Sequence, residues 1–326
     1  MKTVISILII TFLFNINLYA QVNIILDTDI GSDCDDAGAL AILNKLADKG
    51  EANMLGVIYS SGKNIYGIGV CDAINTYYGR GNLILGQYKG HDIGDSLDHY
   101  SRYIATAHNI YHNNVVDSAT ELVKAYKNIL QKQPDSSVTI VTIGHPYGLV
   151  LLMRDTFGFS LIKQKVKKWV AMTRIGTKPG QDWNFGRNGV QYCIDTLLKN
   201  WPTDAYFCSI GKEIITGNKK LPLTPMNNPV REAYKLWNNA LKTGRYSWDQ
   251  ATVLYSVRPQ YYKIDSGGTL EQNDKFQTYW NTKVNNPKHH RIISLNISNN
   301  QLQSIIEDLM SEPPYKKSKH TIIKTE

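Results

Sequence analysis

The stretch DTDIGSDCDD, residues 27–36, directly follows the apolar run VNIIL and places five aspartates within ten positions. Carboxylates this close repel one another unless a cation lies among them or water solvates them all. The apolar run predicts a buried β-strand, so the aspartates should lie where that strand ends. The sequence therefore raises the question of what neutralises them.

The rest of the chain alternates between β-rich apolar runs and segments with helical periodicity. Strands are predicted at NIIL (23–26), MLGVIYSS (54–61), SVTIVTIG (137–144), KKWVAM (167–172), TDAYFCSI (203–210) and HRIISLNI (290–297). Helices are predicted at AGALAILNKLADKG (37–50), GVCDAINTYYGRG (69–81), DSATELVKAYKNILQ (117–131), LVLLMRD (149–155) and NNQLQSIIEDLM (299–310). Gly50 is expected to close the first helix, and Asp117 or Ser118 to cap the third.

This alternation predicts an α/β fold: a mostly parallel open sheet with helices on both faces, forming a single domain over residues 21–326. Ligands of such sheets bind beyond the carboxyl ends of the strands. Asp29, Ile143 and Met172 each stand at such an end. We therefore expect these three residues to lie near one another.

The first twenty residues have the pattern of a cleavable signal peptide. Lys2 precedes an apolar segment from Val4 to Phe14, and Ala20 provides a small residue for cleavage before Gln21. The segment is too short for a transmembrane helix, and no cysteine that could carry a lipid follows it. These features predict a secreted or periplasmic protein without a membrane anchor.

Charge and cysteine content exclude little. The formal net charge is +8, but no basic stripe interleaved with aromatic residues suggests a nucleic-acid partner. The four cysteines allow three pairings in an oxidising compartment. A chain of 326 residues can bury a core without disulfide bonds, so we expect none of the four to form a structural bridge.

A divalent cation explains the aspartates better than helix capping does. Carboxylates at the N-terminus of the following helix are favourable, but this accounts for only one or two of the five. Ca²⁺ prefers six to eight oxygen ligands, which closely spaced aspartates in a turning loop can supply. An EF-hand is excluded because Gly38 or Leu40 stands where its twelfth-position Glu is needed. A haloacid-dehalogenase-type phosphatase also has two aspartates after a strand, but Gly31 departs from that pattern.

The motif DTDIGSDCDDAGAL more closely resembles the N-terminal signature of the inosine–uridine-type nucleoside hydrolases, in a form with two extra residues. Further segments resemble that family in the same order along the chain: LGVIYSSGKN, VTIVTIGHPYGLVLLM, WVAMTRIG, DWNFGRNGVQ and YSWDQATVLYSV. The similarity runs from about Asn23 to Val257. It implies Ca²⁺-dependent hydrolysis of the N-glycosidic bond of a small-molecule ribonucleoside, in a homodimer or homotetramer.

The resemblance also implies roles for individual residues. Asp29 would be both a metal ligand and the general base. Asp36, Asp249 and the Ile143 carbonyl would complete the protein's share of the calcium ligands. The substrate-binding residues would be Asp35, Asn184, Asp182, Met172, Asp249 and Trp248, of which Asp35, Asn184 and Asp249 would hold the ribose hydroxyls. Asp27 would brace the loop from behind, while Asp33 either caps the helix or faces the pocket.

The chain departs from the family pattern where the leaving group would lie. Trp248 replaces the usual His before the last metal aspartate, and an indole cannot serve as a general acid. His145 could replace it, although a lone loop His is more often solvent-exposed or hydrogen-bonded. Arg174 could pair with an anionic substrate group or, as we rather expect, form a structural salt bridge with a local Asp. Lys63 or Asn64 stands where the family has Asn. The alternative function is a catalytically impaired metal- and sugar-binding protein of the same fold.

Overall fold

The computed structural model describes residues 21–113, 119–284 and 289–315. Its strands are β1 (Val22–Thr28), β2 (Ala52–Tyr59), β3 (Leu85–Gln87), β4 (Thr120–Glu121), β5 (Val138–Thr142), β6 (Val166–Met172), β7 (Gly180–Gln181), β8 (Asp204–Cys208), β9 (Ile215–Thr216), β10 (Arg245–Tyr246), β11 (Tyr262–Asp265), β12 (Thr269–Gln272), β13 (Gln277–Asn281) and β14 (His290–Leu295).

The helices are α1 (Asp35–Asp48), α2 (Gly67–Tyr77), α3 (Ser101–Thr106), α4 (His108–Tyr111), α5 (Leu122–Leu130), α6 (Tyr147–Arg154), α7 (Thr156–Lys165), α8 (Ile194–Asn200), α9 (Pro229–Leu236), α10 (Ala240–Thr243), α11 (Trp248–Val257) and α12 (Asn299–Ser311). None of the helices in the described ranges is long and apolar enough to cross a membrane.

The main sheet has nine strands within the described residues, in the order β11-β14-β8-β6-β5-β1-β2-β3-β4. Every neighbouring pair is parallel except β11 and β14. The expected mostly parallel open sheet is confirmed, and β11 supplies an antiparallel edge. Two small antiparallel sheets, β10-β9 and β12-β13-β7, complete the strand pairing of the described ranges.

Helices cover both faces of the sheet, as predicted. Along β1, Ile24 and Leu26 pack into one apolar cluster and Ile25 into the other, because successive side chains of a strand point to opposite faces. Residues of α1, α2, α11 and α12 belong to the first cluster, and residues of α5, α6, α7 and α8 to the second. Burial on both faces explains why the strands read as continuous apolar runs.

Helix boundaries differ from the predictions at several ends. The first helix begins at Asp35, two residues earlier than expected, and Gly50 beyond its end adopts a φ of +74°. Asp117 and Ser118 lie outside the described residues, and α5 begins at Leu122 with the Glu121 carboxylate accepting from the backbone N–H groups of Val123 and Lys124. Among the described residues, seven helices were not predicted: α3, α4, α7, α8, α9, α10 and α11.

The strand register brings the predicted functional ends together. Asp27 pairs with Thr142, and Thr142 pairs with Ala171, so the next residues of β1, β5 and β6 open onto one edge. The approach is close at Gly144, where an added Cβ would lie 2.5 Å from the backbone nitrogen and from Oδ1 of Asp29. Only glycine permits this contact, which fixes the Asp29 carboxylate against the loop after β5.

Candidate active site

A cavity of about 520 Å³ opens at the carboxyl ends of the central strands. All nine residues to which the sequence assigned a site role line it: Asp29, Asp35, Asp36, Ile143, Met172, Asp182, Asn184, Trp248 and Asp249. The cavity is large enough for a nucleoside-sized ligand. Two parts of its wall differ in chemistry. The acidic side comprises Asp29, Asp33, Asp35, Asp36 and Asp249, and the aromatic side comprises Trp183, Trp237, Trp248 and Arg245.

The first turns of two helices build most of the acidic side. Asp35 and Asp36 begin α1, and Asp249 is the second residue of α11. Helix N-termini favour negative charge, which offsets part of the repulsion among these groups. Carboxylate oxygens of Asp33, Asp36 and Asp249 lie within 4.8 Å of one another, close enough to share one metal ion. The Thr28 hydroxyl donates to Asp36 and fixes its orientation.

Burial makes ionisation of these carboxylates costly. The pKa values of Asp29, Asp35, Asp36 and Asp249 are all raised well above the ordinary range, first by burial and then by the neighbouring carboxylates. A cation among the groups reverses this effect because it favours their charged forms. The acidic side is therefore electrostatically incomplete with protein atoms alone.

Asp29 shows this most clearly. Its buried Oδ2 makes no hydrogen bond within the described residues, although His145 Nε2 lies 3.1 Å away. His145 Nδ1 must donate to the Asn184 carbonyl, 3.1 Å away, because a carbonyl oxygen only accepts. Burial lowers the His145 pKa to about 4, so Nε2 is unprotonated at neutral pH and accepts from Asn188 Nδ2 at 3.1 Å. Asp29 Oδ2 thus faces a lone pair and lacks a positive partner.

His145 is consequently not the leaving-group acid that one interpretation of the sequence allowed. Its side chain is fully buried behind Asp29 and does not line the cavity. The other interpretation, a hydrogen-bonded loop His, is confirmed. Because the ring contacts both Asp29 and the backbone of Asn184, it holds the loop after β5 against the loop that carries Asn184.

Asn184 connects the ends of β5 and β6. Its Nδ2 donates to the Ile143 carbonyl at 2.9 Å and also lies 3.3 Å from the Met172 carbonyl oxygen. The Ile143 oxygen, expected to be a metal ligand, therefore already accepts one hydrogen bond. A carbonyl has two lone pairs, so this bond leaves it one for a cation.

Asp182 lies at the cavity wall, but its carboxylate mainly holds a loop. It accepts from the Thr173 hydroxyl at 2.6 Å, the Phe185 backbone N–H at 2.8 Å and the Arg174 backbone N–H. The expected salt bridge of Arg174 is not found within the described residues. Its guanidinium donates to the backbone carbonyl of Thr278 at 3.0 Å instead.

Asp33, which the sequence left open, faces the cavity and does not cap α1. The N-cap position belongs to Cys34, whose side chain makes no capping hydrogen bond. Asp33 Oδ2 lies 2.7 Å from Nη2 of Arg245, and Asp35 Oδ1 lies 3.3 Å from Nε of the same guanidinium. Arg245 was not among the predicted site residues, because it lies one position before the family-like segment YSWDQATVLYSV.

Two indole rings of the aromatic side pack against this arginine. The Arg245 guanidinium lies 4.7 Å from the ring centre of Trp237 and 4.9 Å from that of Trp248. Trp183 is 45% exposed at the rim, with the Arg187 guanidinium 4.4 Å from its ring centre. Trp183 stands between the predicted site residues Asp182 and Asn184 in the segment DWNFGRNGVQ but was given no role, and no local sequence pattern marks Trp237.

Four other expected features lie outside the cavity. Asp27 is buried in β1 and accepts from the Tyr126 hydroxyl at 2.5 Å, and burial raises its pKa to about 7. Asn64 is tied to Leu97 and Ser101 by side-chain hydrogen bonds, and Lys63 does not line the cavity. The four cysteines are buried and free: Cys34, Cys71, Cys193 and Cys208.

Comparison with known proteins supports the fold assignment. The structure matches an inosine–uridine preferring nucleoside hydrolase from Bacillus anthracis with a TM-score of 0.68 and 10% sequence identity, covering 89% of this chain and 99% of that one. The chain has the nucleoside hydrolase fold. A purine-preferring ribonucleoside hydrolase from Gardnerella vaginalis matches with a TM-score of 0.65 and 14% identity, covering 89% and 99% of the two chains.

The nucleoside hydrolase fold also occurs in a protein described by a different role. The type III effector XopQ, in a complex with adenosine diphosphate ribose, matches with a TM-score of 0.62 and 11% identity over 89% of this chain and 94% of its own. No family model matches the sequence. No curated protein matches it either. At such identities the similarity shows the fold alone.

Proposed function

We propose that the protein is a Ca²⁺-dependent hydrolase of the N-glycosidic bond of ribonucleosides. The observation that carries the proposal is the position of Asp29, a buried aspartate that lines a nucleoside-sized cavity together with Asp33, Asp35, Asp36 and Asp249. The two solved nucleoside hydrolases described above support it through the shared fold. A position of this kind suits a general base that also contacts a cation.

The donor set fits a hard divalent cation. Asp29, Asp36, Asp249 and the Ile143 carbonyl would hold it, with Asp33 as a further carboxylate within reach of Asp36 and Asp249. All of these donors are oxygens, which Ca²⁺ prefers, and none is the sulfur or imidazole donor that softer metals select. When bound, the ion neutralises the acidic side and lowers the pKa of a neighbouring water.

The chain's own residues account for the remaining chemistry. Asp29 takes a proton from the attacking water while the C1′–N bond of the ribonucleoside breaks. Asp35, Asn184 and Asp249 hold the ribose hydroxyls, and the negative charge of the two aspartates favours the oxocarbenium character that develops on the sugar. Met172 packs along the sugar, and Asp182 keeps the loop with Asn184 in place. Trp248 offers the aglycone an aromatic surface.

The test is hydrolysis of inosine, uridine and p-nitrophenyl riboside, each with and without EDTA. The proposal expects release of ribose that EDTA abolishes and Ca²⁺ restores. Turnover of the activated riboside alone would show that the ribose-binding residues work while leaving-group departure is impaired. If no riboside is hydrolysed although Ca²⁺ binds, the enzyme assignment fails and the catalytically impaired binding protein is the better description.

Export and assembly form part of the same proposal. Residues 1–20 lie outside the described residues, and we propose that they are removed during export to the periplasm or the exterior. The mature protein would then begin at Gln21, and would act on small ribosides as a homodimer or homotetramer. Mass spectrometry of the mature N-terminus and sedimentation analysis test these two points separately.

A further inference from the structure

Arg245 occupies a defined position between the two sides of the cavity. Its backbone belongs to β10, where it pairs with Thr216 of β9. Its side chain is 15% exposed, and Nη2 and Nε are held by Asp33 and Asp35. The packing on Trp237 and Trp248 restricts the guanidinium further. An arginine held by strand pairing, two carboxylates and two indole rings has little freedom to move.

The loop that holds Arg245 is itself fixed. The Tyr100 hydroxyl donates to the Asp33 carbonyl at 2.6 Å, and the Trp237 indole N–H donates to the Ser32 carbonyl at 3.1 Å. Gly31 adopts a φ of +139°, and a Cβ there would lie 2.8 Å from Asn64 Nδ2. These contacts fix the backbone of the segment between β1 and α1, and with it the position of Asp33.

One part of the guanidinium remains available. Within the described residues, the side-chain hydrogen bonds of Arg245 use only Nε and Nη2. Nη1 carries two further N–H groups, and the residue lines the cavity beside Trp248. Asp35 is a proposed ribose ligand and also contacts Arg245. Only the Asp35 side chain therefore separates the Arg245 guanidinium from the proposed sugar position. A guanidinium cannot give up a proton at neutral pH, but it can donate hydrogen bonds to an oxygen that gains negative charge.

We infer that Arg245 selects aglycones that carry a ring carbonyl oxygen and stabilises the charge that develops on that oxygen. This inference rests on the proposed ribonucleoside hydrolysis and assigns the leaving-group function that Trp248 cannot perform. As the C1′–N bond breaks, its electron pair stays with the aglycone and spreads onto the carbonyl oxygen, to which Nη1 donates. The water oxygen bonds to C1′, and its proton passes to Asp29 and then to solvent. The departing anion takes a proton from solvent.

The test compares inosine with adenosine, which share ribose and ring system but carry a carbonyl and an amino group, respectively, at the same ring position. Arg245→Met keeps an unbranched apolar stem against the indoles and removes the donors. At saturating Ca²⁺ it should lower kcat/KM about 100-fold for inosine and less than about fivefold for adenosine. Arg245→Lys, which keeps the charge, should fall between the wild type and Arg245→Met for inosine. Arg258→Met is the matched control because Arg258 is likewise held by a carboxylate, that of Glu51, but does not line the cavity, and it should leave both values unchanged.

Equal losses on both substrates would overturn the inference, since Arg245 would then only hold Asp33 and Asp35. A second readout does not require turnover: quenching of tryptophan fluorescence by hypoxanthine and by adenine. Arg245→Met should weaken hypoxanthine binding about tenfold and leave adenine binding unchanged. If the wild type hydrolyses no riboside although Ca²⁺ binds, the proposed function fails, and this binding ratio alone decides the role of Arg245. An unchanged ratio refutes that role.

Discussion

The acidic side and the aromatic side of the cavity differ in how completely the protein satisfies its own groups. On the acidic side, Asp29 Oδ2 lacks a donor and four carboxyls have raised pKa values. On the aromatic side, Arg245 already has two carboxylate partners and three ring contacts. The first side therefore needs an ion to complete it, while the second is prearranged to receive a planar group. The acidic side would thus supply the reactivity of the site, and the aromatic side its selectivity for the aglycone.

The largest expected effect comes from Asp29. Asp29→Asn keeps the shape of the side chain but removes its ability to accept a proton from water, so kcat for any hydrolysed riboside should fall at least about 10³-fold. Steady-state kinetics at saturating Ca²⁺ measures this. Asp195→Asn is the control, because Asp195 pairs with Lys199 on the surface and does not line the cavity. Near-normal turnover in Asp29→Asn would show that Asp29 is not the general base.

A second pair of variants tests which carboxylates hold the ion. Asp36→Asn should weaken Ca²⁺ binding at least about 100-fold, because it removes the charge of a ligand whose orientation Thr28 fixes. Asp33→Asn should weaken it less than about tenfold, because Arg245 already neutralises much of the Asp33 charge. Isothermal titration calorimetry provides both values without any substrate. A larger loss in Asp33→Asn than in Asp36→Asn would make Asp33 the principal ligand of the two.

The sequence predicted the acidic side better than the aromatic side for a physical reason. Asp29, Ile143 and Met172 follow strands whose apolar runs are visible locally, and the convergence of parallel strand ends brings them together. Arg245 and Trp237 reach the cavity from the segment between β9 and α11, which has no continuous apolar run. Their position depends on contacts with residues 32, 33 and 35, about 205 to 212 positions away in the chain. Such contacts leave no local pattern.

The same argument explains the errors in secondary structure. Helix α9 is capped by Asn228 and contains the amphipathic segment PVREAYKL, but it spans only Pro229–Leu236 and its periodicity is brief. Strands β7, β12 and β13 are stabilised mainly by pairing with one another, not by burial in the main sheet. Short elements of this kind depend on tertiary contacts more than on propensity.

Removing the ion should change how stability depends on pH. Without metal, the carboxyls of the acidic side have higher pKa values in the folded than in the unfolded protein, so the folded state binds more protons and loses stability as pH rises above about 4. His145, with its pKa lowered to about 4, acts oppositely up to about pH 6.5, but four carboxyls outweigh one imidazole. In EDTA, Tm should therefore be higher at pH 5 than at pH 8.

Saturating Ca²⁺ should reverse that order, because the ion requires ionised carboxylates and protons compete with it. At pH 8 the ion should raise Tm by about 5 °C when present at 100 times its Kd. Calorimetric scans at both pH values, with Ca²⁺ or EDTA, measure the effect. Asp36→Asn serves as the control and should show a smaller gain in Ca²⁺. Identical pH profiles with and without the ion would show that the acidic side is not a metal site.

The smallest expected effect lies at the rim of the aromatic side. Trp183 is 45% exposed and lines the cavity, so Trp183→Ala should remove one aromatic contact with the aglycone without disturbing the acidic side. An aromatic contact contributes about 0.5–1.5 kcal/mol, which corresponds to an increase in KM of roughly threefold to tenfold with kcat unchanged. Tyr192→Ala is the control, because Tyr192 is more exposed and packs on Phe276 outside the cavity. A fall in kcat in Trp183→Ala would show that the rim takes part in the chemical step, and the separation between reactive and selective sides would then no longer hold.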